Sequence, residues 1–549
     1  AYIPKDVYWG LVRKSRGSLG YNERQYETME GTLSFRHKFW NMIDVNAVAG
    51  MGRYLDKGTG MTVSYQNAND MINDSNLAAA DGPFSPTSYK YENEKRSQFL
   101  RASFDVLDRY VLTGTLRRDG TDKFFPDKKY SLFPSASVAW KMSNESFMQH
   151  LSWLNLLKVR ASYGVTGSDN LGTSLYGIIG ISREDVKFSN SGVTYVPYAL
   201  QSANYSDVTW QKTAMKNIGL DFSILKDKIW GSLDFFRNDV TNLLGTAPTS
   251  LLNMYGYRPI NGGHYKRTGV ELSLNTLNIQ TPNFKWTSSL ALSHYNAYWI
   301  ERMPNFDYKK YQKRENEPMS AYYYYKTVGV INEDRSNMPD SQRSLPREAQ
   351  LPGYPIIDDR NGDGKIDIDD IYMDNTLPKV YYGFGNTFTY KNFDLDIYMY
   401  GQLGVKKFNS THASNCSAAN LASGTLASNP TDYAYAIWNS QTNPNGTVPG
   451  IASSKSVALP ENAPINTFWE KASFLRVRNI TLGYNWDTRK LAFLKGNVQT
   501  IRLFVDFQNP FTLTKFEGDD PEITTAAGNL GHGQYPQLRV YSFGAKISF

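Results

Sequence analysis

The last twelve residues, Leu538 to Phe549, read LRVYSFGAKISF, and they constrain the fold more than any other stretch. Phe549, Ile547, Ala545, Phe543 and Tyr541 fall on one face, while Ser548, Lys546, Gly544 and Ser542 fall on the other. A period of two, with one apolar face and one small polar face, describes a strand between two different solvents. An ordinary half-buried strand satisfies the same pattern, so the rest of the chain decides between the two readings.

The alternation recurs. Leu33, Phe35, His37 and Phe39 share a face, and a tight Trp40-Asn41 connection follows. Tyr110, Leu112, Gly114 and Leu116 oppose Thr113, Thr115 and Arg117; Leu157, Val159, Ala161 and Tyr163 oppose Lys158, Arg160 and Ser162. Ile218, Leu220, Phe222 and Ile224 oppose Gly219, Asp221 and Ser223, and Val270, Leu272 and Leu274 oppose Glu271, Ser273 and Asn275. In Ser473 to Trp486 the apolar parity slips between Val477 and Ile480, which predicts a bulge near Asn479. The pattern yields about fifteen strands, joined alternately by tight turns and long polar segments, the asymmetry of an outer-membrane barrel. The long segments are Asp56 to Tyr89, Gly167 to Thr213, Met303 to Lys379 and Val405 to Phe468. Compact soluble domains rarely carry loops of that length.

The polar faces hold too many Arg, Lys, Asp and Glu for a dry core, because unpaired buried charge is costly, whereas a water-filled lumen accepts them. The expected fold is therefore all-β: a transmembrane antiparallel barrel with long extracellular loops and short periplasmic turns. Trp140, Trp230, Trp286 and Trp486 read as anchors at the lipid–water interface. No run of apolar residues is long enough for a transmembrane helix. A mean hydropathy of -0.49 is compatible with a barrel, whose strands alternate and whose loops are polar.

Composition excludes several functions. The net charge of +7 arises from 59 basic and 52 acidic residues spread along the chain, without the concentrated patch of a nucleic-acid binder. Cys416 is the only cysteine, so there is no internal disulfide and no cysteine-based metal site. None of the histidines forms H-x-x-x-H, and neither G-x-S-x-G nor a phosphate-binding glycine loop occurs. Lumen and loop charge explain the abundant carboxylates, and no enzymatic activity is expected.

Two local motifs carry site expectations. Asp359, Asn361, Asp363, Lys365, Asp367 and Asp370 sit at positions 1, 3, 5, 7, 9 and 12 of an EF-hand-type loop, with Gly364 at the sharp turn. Side-chain oxygens plus the Lys365 carbonyl at this spacing can wrap one Ca²⁺ that pins an extracellular loop. Position 12 is Asp in place of the usual Glu and no flanking helix pair is evident, so a solvated acidic turn is the alternative. Tyr322, Tyr323, Tyr324 and Tyr325 form an aromatic run inside the longest inter-strand segment. They either grip substrate near an entrance or pack the loop, and packing is the favoured reading.

Several stretches together resemble the SusC/RagA-like TonB-dependent transporters of the Bacteroidetes outer membrane. They are YVLTGTLRRDGTDKF (Tyr110 to Phe124) followed by SLFPSASVAWKMSNESF (Ser131 to Phe147), LKVRASYGVTGSDNLG (Leu157 to Gly172), and NIGLDFSILKDKIWGSLDFFRNDVTNLL (Asn217 to Leu244). RTGVELSL (Arg267 to Leu274), LPKVYYGFGNTFTYKNFDLDIYMYGQLG (Leu377 to Gly404) and WEKASFLRVRNITLGYNW (Trp469 to Trp486) follow in order, with the Phe-ended terminus. The resemblance implies a 22-stranded barrel with an N-terminal plug in its lumen. It also implies import of oligosaccharides or oligopeptides, a SusD-like surface lipoprotein as lid, and energy from the TonB complex acting on an N-terminal region. No plug, TonB box or early barrel strands are found, so residues 1–549 are expected to be the C-terminal part of such a barrel. A passive porin-like channel and a surface glycan-binding or adhesin module are the alternatives.

Overall fold

The computed structural model describes residues 2–3, 16–66, 82–171, 178–181, 188–190, 193–195, 198–202, 205–249, 257–312, 317–409, 412–413, 435–450, 459–486, 498–518, 520–522 and 537–548. Fifteen long strands form one antiparallel meander. In chain order they are β1 (Arg16–Phe39), β2 (Ile43–Gln66), β3 (Ser85–Val106), β4 (Tyr110–Thr121), β5 (Tyr130–Lys141), β6 (Leu154–Ser168), β7 (Gln211–Ile224) and β8 (Ile229–Pro248). There follow β9 (Tyr257–Gln280), β10 (Phe284–Glu301), β11 (Val380–Tyr390), β12 (Phe393–Leu403), β13 (Phe474–Trp486), β14 (Thr500–Gln508) and β15 (Val540–Ser548). Each pairs with the next, and Tyr2–Ile3 adds a short segment on the outer edge of β1. Among the described residues no pairing joins β15 to β1, so the wall has two edges.

One face of this wall is apolar all along. Register places Val159, Leu220, Leu233, Leu272, Leu292 and Tyr382 side by side across β6 to β11. These side chains have no packed core behind them: Ile218 is 62% exposed, Phe235 55% and Phe543 91%. Such a sheet face is stable only against lipid, which solvates apolar side chains but no unpaired backbone. The opposite face carries Arg160, Asp221, Asp234, Glu271, Asp394 and Arg502. The turns at one end are short, with left-handed Trp40 and Asn41, Leu107 and Asp108, Leu225 to Asp227, and Lys391. At the other end outward-facing charge begins at Arg53, Arg96, Arg118 and Arg237, which bounds the apolar band.

Pairing runs beyond the expected strand limits, most of all in the first hairpin. Asp56 to Gln66 and Ser85 to Tyr89 are a paired ladder rather than a loop, so β1, β2 and β3 run to 24, 24 and 22 residues. A tilted membrane strand needs only about 9–11, so these ladders stand well clear of the band. Met61, Val63 and Tyr65 share a face with Leu19 and Tyr21 there, but Lys57, Thr59, Glu23 and Gln25 on the same face dilute the period-two signal. A Cβ at Gly58 would lie 2.3 Å from the Tyr91 ring and one at Gly60 would lie 2.5 Å from Tyr89, so glycine lets the rings of β3 lie flat across β2. The predicted bulge is present: register slips between Tyr398 and Met399 opposite Asn479 and Val477, leaving Arg478 as the extra residue. Of the four tryptophans, Trp140, Trp286 and Trp486 share parity with the outward face. Trp230 does not, since it pairs opposite Ser223 on the parity of Asp221 and Asp234 and faces the lumen. Phe549 and Cys416 lie outside the described residues.

Candidate functional site

The inward face of the wall is a charged and aromatic surface. Arg160 on β6 donates to Asp221 at 3.0 Å and to Asp234 at 2.6 Å, and Lys158 reaches the same Asp221 at 3.0 Å. Further round, Arg502 pairs with Asp394, which also accepts from Asn485 at 2.7 Å. Arg160 on β6 reaches across β7 to Asp234 on β8, and Arg502 on β14 reaches across β13 to Asp394 on β12; Gly219 and Gly483 make room, since a Cβ at either would lie 2.5 Å from these side chains. Higher on the same face the rings of Tyr295 and Tyr381 stack with centroids 5.6 Å apart. Beside them a groove of about 470 Å³ is lined by Asp234, Glu271, Tyr381, Tyr398, Tyr400 and Gln402. The alternation Asp394, Asp396, Tyr398, Tyr400, Gln402 was readable in the sequence, but only the register shows that its aromatic end meets Tyr381.

Above the wall, the segment between β10 and β11 folds on its own core. Ala321–Tyr324 pairs with Tyr372–Asn375, and Thr327–Val330 pairs with Pro355–Ile357. Tyr325, Ile331, Ile357 and Ile371 are all at most 1% exposed in the cluster between them. The tyrosine run is that core's framework. Tyr322 stacks on Trp469 at 3.8 Å, Tyr323 meets Tyr311 at 5.1 Å, and Tyr324 donates to Asp374 at 2.8 Å. Tyr325 is fully buried and donates to the Asp367 carbonyl at 2.9 Å. Burial pushes the hydroxyl pKa values of Tyr322, Tyr324 and Tyr325 well above the usual range. The β12–β13 segment joins the same unit: Tyr325 N donates to Pro464 O at 2.8 Å, and Leu459 and Ala463 enter the core.

The acidic loop lies on this unit. Asp359 accepts the amides of Gly362 at 2.8 Å and Gly364 at 2.9 Å, Asn361 accepts Asp363 N at 3.0 Å, and Asp363 accepts Lys365 N at 2.9 Å. Gly364 has φ +83°, a conformation that costs glycine nothing. Asp370 is fully buried and accepts Arg360 N at 2.9 Å and Asp367 N at 2.8 Å. Burial raises its carboxyl pKa, against the pull of those amides. Asp367 caps the following 3₁₀ turn through Asp369 N at 2.8 Å. The side-chain donors are all oxygen, but the carboxylates accept from the loop's own amides, and no three of them converge to within 4.8 Å of one another. That donor set suits a hard cation.

A dock of buried charge ties the segment between β14 and β15 to the wall. Arg476 on β13 is 2% exposed and binds Asp520 through one nitrogen at 2.8 and 2.9 Å, with Glu522 on another. Lys407, 6% exposed, donates to the carbonyls of Pro521 and Glu522, and burial pulls its pKa down to about 8. Tyr400 in the lumen donates to Glu522 at 2.6 Å, so Glu522 reaches the wall itself.

Residues 4–509 match the family model described as TonB dependent receptor-like, beta-barrel. The chain belongs to the TonB-dependent receptor β-barrel family. TonB-dependent receptor P3 of Formosa agariphila is 28% identical over 506 residues, covering 86% of this chain and 47% of that protein. TonB-dependent receptor SusC of Bacteroides thetaiotaomicron is 27% identical over 476 residues, covering 84% of this chain and 44% of that protein. The chain thus spans about half the length of the curated relatives it matches. The RagAB peptide transporter structure superposes with a TM-score of 0.76 at 18% identity, covering 97% of this chain and 56% of the other, and shows the same fold.

As a TonB-dependent receptor barrel, the chain resides in the bacterial outer membrane, and the family is one of receptors and transporters rather than enzymes. The apolar face is its lipid face and the ladder of charge and tyrosine is its lumen.

Proposed function

We propose that the protein carrying this chain imports oligomeric nutrients actively, oligosaccharides or oligopeptides, drawing energy from the TonB complex and working under a SusD-like surface lipoprotein. One observation carries the reading: a wide, polar, aromatic-lined lumen face lies beneath a folded extracellular unit built from two of the longest inter-strand segments. Ordering those segments costs about 1–2 kcal/mol per residue in backbone entropy. Their own core offsets part of that, and a partner surface would offset more. Tyr435, 83% exposed, stands on this unit, and tyrosine-rich polar surface suits a wet interface. The likeness to SusC and to a structure titled as a peptide transporter supports import in general and leaves both oligomer classes open.

Two further parts belong to this proposal. The membrane interior tolerates no unpaired strand edge, so the outer edges of β1 and β15 are paired by additional strands in the complete protein, and a plug domain fills its lumen. Asp359, Asn361, Asp363, Asp367 and Asp370, with the Lys365 carbonyl, hold a structural Ca²⁺ that stiffens the β10–β11 segment.

Extraction of the full-length transporter in mild detergent tests the reading. A surface lipoprotein is expected to co-purify, and a large deletion within residues 405–468 to loosen the pair. A barrel recovered alone, with its lumen open to the outside, would overturn the capped importer and favour a passive channel.

A further inference from the structure

Three residues far apart in sequence meet beside the dock. His412 follows Asn409, whose carbonyl and side chain start a short helical turn, Glu470 lies in the ladder Trp469–Lys471 against Lys406–Phe408, and Glu517 belongs to the β14–β15 segment. One ligand atom from each, an imidazole nitrogen and two carboxylate oxygens, lies within 4.8 Å of the other two. His412 Nδ1 is 3.0 Å from Glu470 Oε1, and His412 is 6% exposed. Asn409, fully buried, donates to the same Glu470 oxygen at 2.9 Å, and Glu517 N donates to the other at 3.2 Å, so the central carboxylate is held in place.

We propose that His412, Glu470 and Glu517 form a binding site for one divalent transition metal of the zinc class, which staples the β12–β13 segment to the β14–β15 segment.

Two independent lines support it. The first is ligand type and spacing. Two ligands about 2.0–2.1 Å from a tetrahedral zinc lie roughly 3.3 Å apart, close to the present separation of His412 and Glu470. An imidazole among carboxylates selects zinc-like ions over calcium, which takes oxygen alone. Water supplies the fourth position on the exposed Glu517 side. The second is charge. Residues 516–522 and the surface beneath them bring Glu470, Glu517, Asp520 and Glu522 together against the cations Lys407 and Arg476. Of the other lysines on these segments, Lys406 pairs with Asp374 at 2.6 Å, and Lys471 and Lys515 are exposed. Asp520 and Glu522 pair with Arg476, whereas the partly buried Glu470 is met at Oε1 by His412 and Asn409, and a partly buried carboxylate is stabilised by a nearby cation. One dication between Glu470 and Glu517 would balance their charge beside the His412 ring.

The staple is distinct from the acidic loop at Asp359 to Asp370 in ligands, location and metal class. It fixes the entry to the β14–β15 segment where that segment descends to Tyr400 in the lumen.

The test uses the full-length transporter in detergent, stripped with chelator and returned to buffer saturated in Ca²⁺ so that oxygen-only sites are filled. Titration with ZnCl₂, followed by calorimetry, is expected to show one tight zinc per chain. X-ray absorption at the zinc edge should report one imidazole nitrogen. His412→Ala and Glu517→Gln should each weaken binding by at least on the order of 100-fold, whereas His264→Ala should leave it unchanged. Glu517 is exposed, so its amide variant keeps the fold, which unchanged heat-modifiable gel mobility verifies. No zinc uptake by the wild type, or equal uptake by the Glu517→Gln variant, would overturn the proposal and leave His412–Glu470 as a hydrogen bond alone.

Discussion

The two faces of the wall predict opposite responses at neighbouring residues, and β8 offers the sharpest case. Leu233 points to lipid between Leu220 and Leu272, while Ser232 points to the lumen between Asp221 and Ser273. Depth follows from the strand itself. Outward-facing Arg237 marks the upper limit of the apolar band and the Lys226 to Lys228 turn marks the lower one. About nine residues at about 3.4 Å, tilted about 45°, span about 22 Å along the membrane normal, close to the expected band of about 25 Å. Leu233 lies about midway. Leu233→Arg in the full-length transporter should therefore cost about 2–4 kcal/mol, the mid-bilayer value for a lipid-facing arginine. Ser232→Arg adds a cation beside Asp221 and Asp234 in water, and should cost no more than about 1 kcal/mol, the exposed-pair scale. Equilibrium unfolding in urea from lipid vesicles reads both, with gel mobility as the fold check. A Ser232→Arg penalty equal to or above that of Leu233→Arg would refute the assignment of faces.

Other outcomes follow from the loops. Tyr325→Ala should remove about 3–5 kcal/mol from the extracellular unit by leaving a cavity, opening residues 302–379 to protease while barrel mobility stays intact; Tyr325→Phe, losing one hydrogen bond, should cost only about 1 kcal/mol. Arg476→Ala strands buried Asp520 and should cost about 3–5 kcal/mol, seen as faster proteolysis between residues 509 and 539. Lys407, with a folded pKa near 8 against an unfolded value of about 10.4, binds its proton more weakly when folded. Stability of the dock should thus rise between pH 8 and 10.4, by about 3 kcal/mol at most, and Lys407→Met should flatten that rise in protease protection. Chelation of Ca²⁺ should accelerate cleavage within residues 359–370, and Asp359→Ala should abolish the calcium dependence.

The membrane strands were legible because lipid on one side and water on the other impose the clearest period a chain can carry. The parity of Phe543 and Ile547, the face of Leu220 and Phe222, and even the slip beside Asn479 came through. Legibility stopped where that two-solvent contrast stopped. In the ladders at Asp56 to Gln66 and Ser85 to Tyr89, Lys57 and Thr59 share a face with Met61, Val63 and Tyr65, so the alternation is diluted and reads as loop. Trp230 was misplaced because a tryptophan at a strand end fits the interface on either face, and its parity with Asp221 emerges only from pairing. The aromatic run Tyr322 to Tyr325 packs the core of its own segment. Its partners Trp469 and Pro464 come from another segment, which no local pattern reveals. The same holds for Arg476 with Asp520 and for His412 with Glu470 and Glu517, whose neighbours exist only after the wall has formed.

Active import is the central claim, and uptake tests it directly. Cells producing the full-length transporter take up a labelled oligosaccharide or oligopeptide in paired strains that differ only in the inner-membrane TonB complex. The account predicts saturable uptake that is lost when that complex is removed. Uptake that persists undiminished without it would contradict the account and identify the barrel as a passive pore.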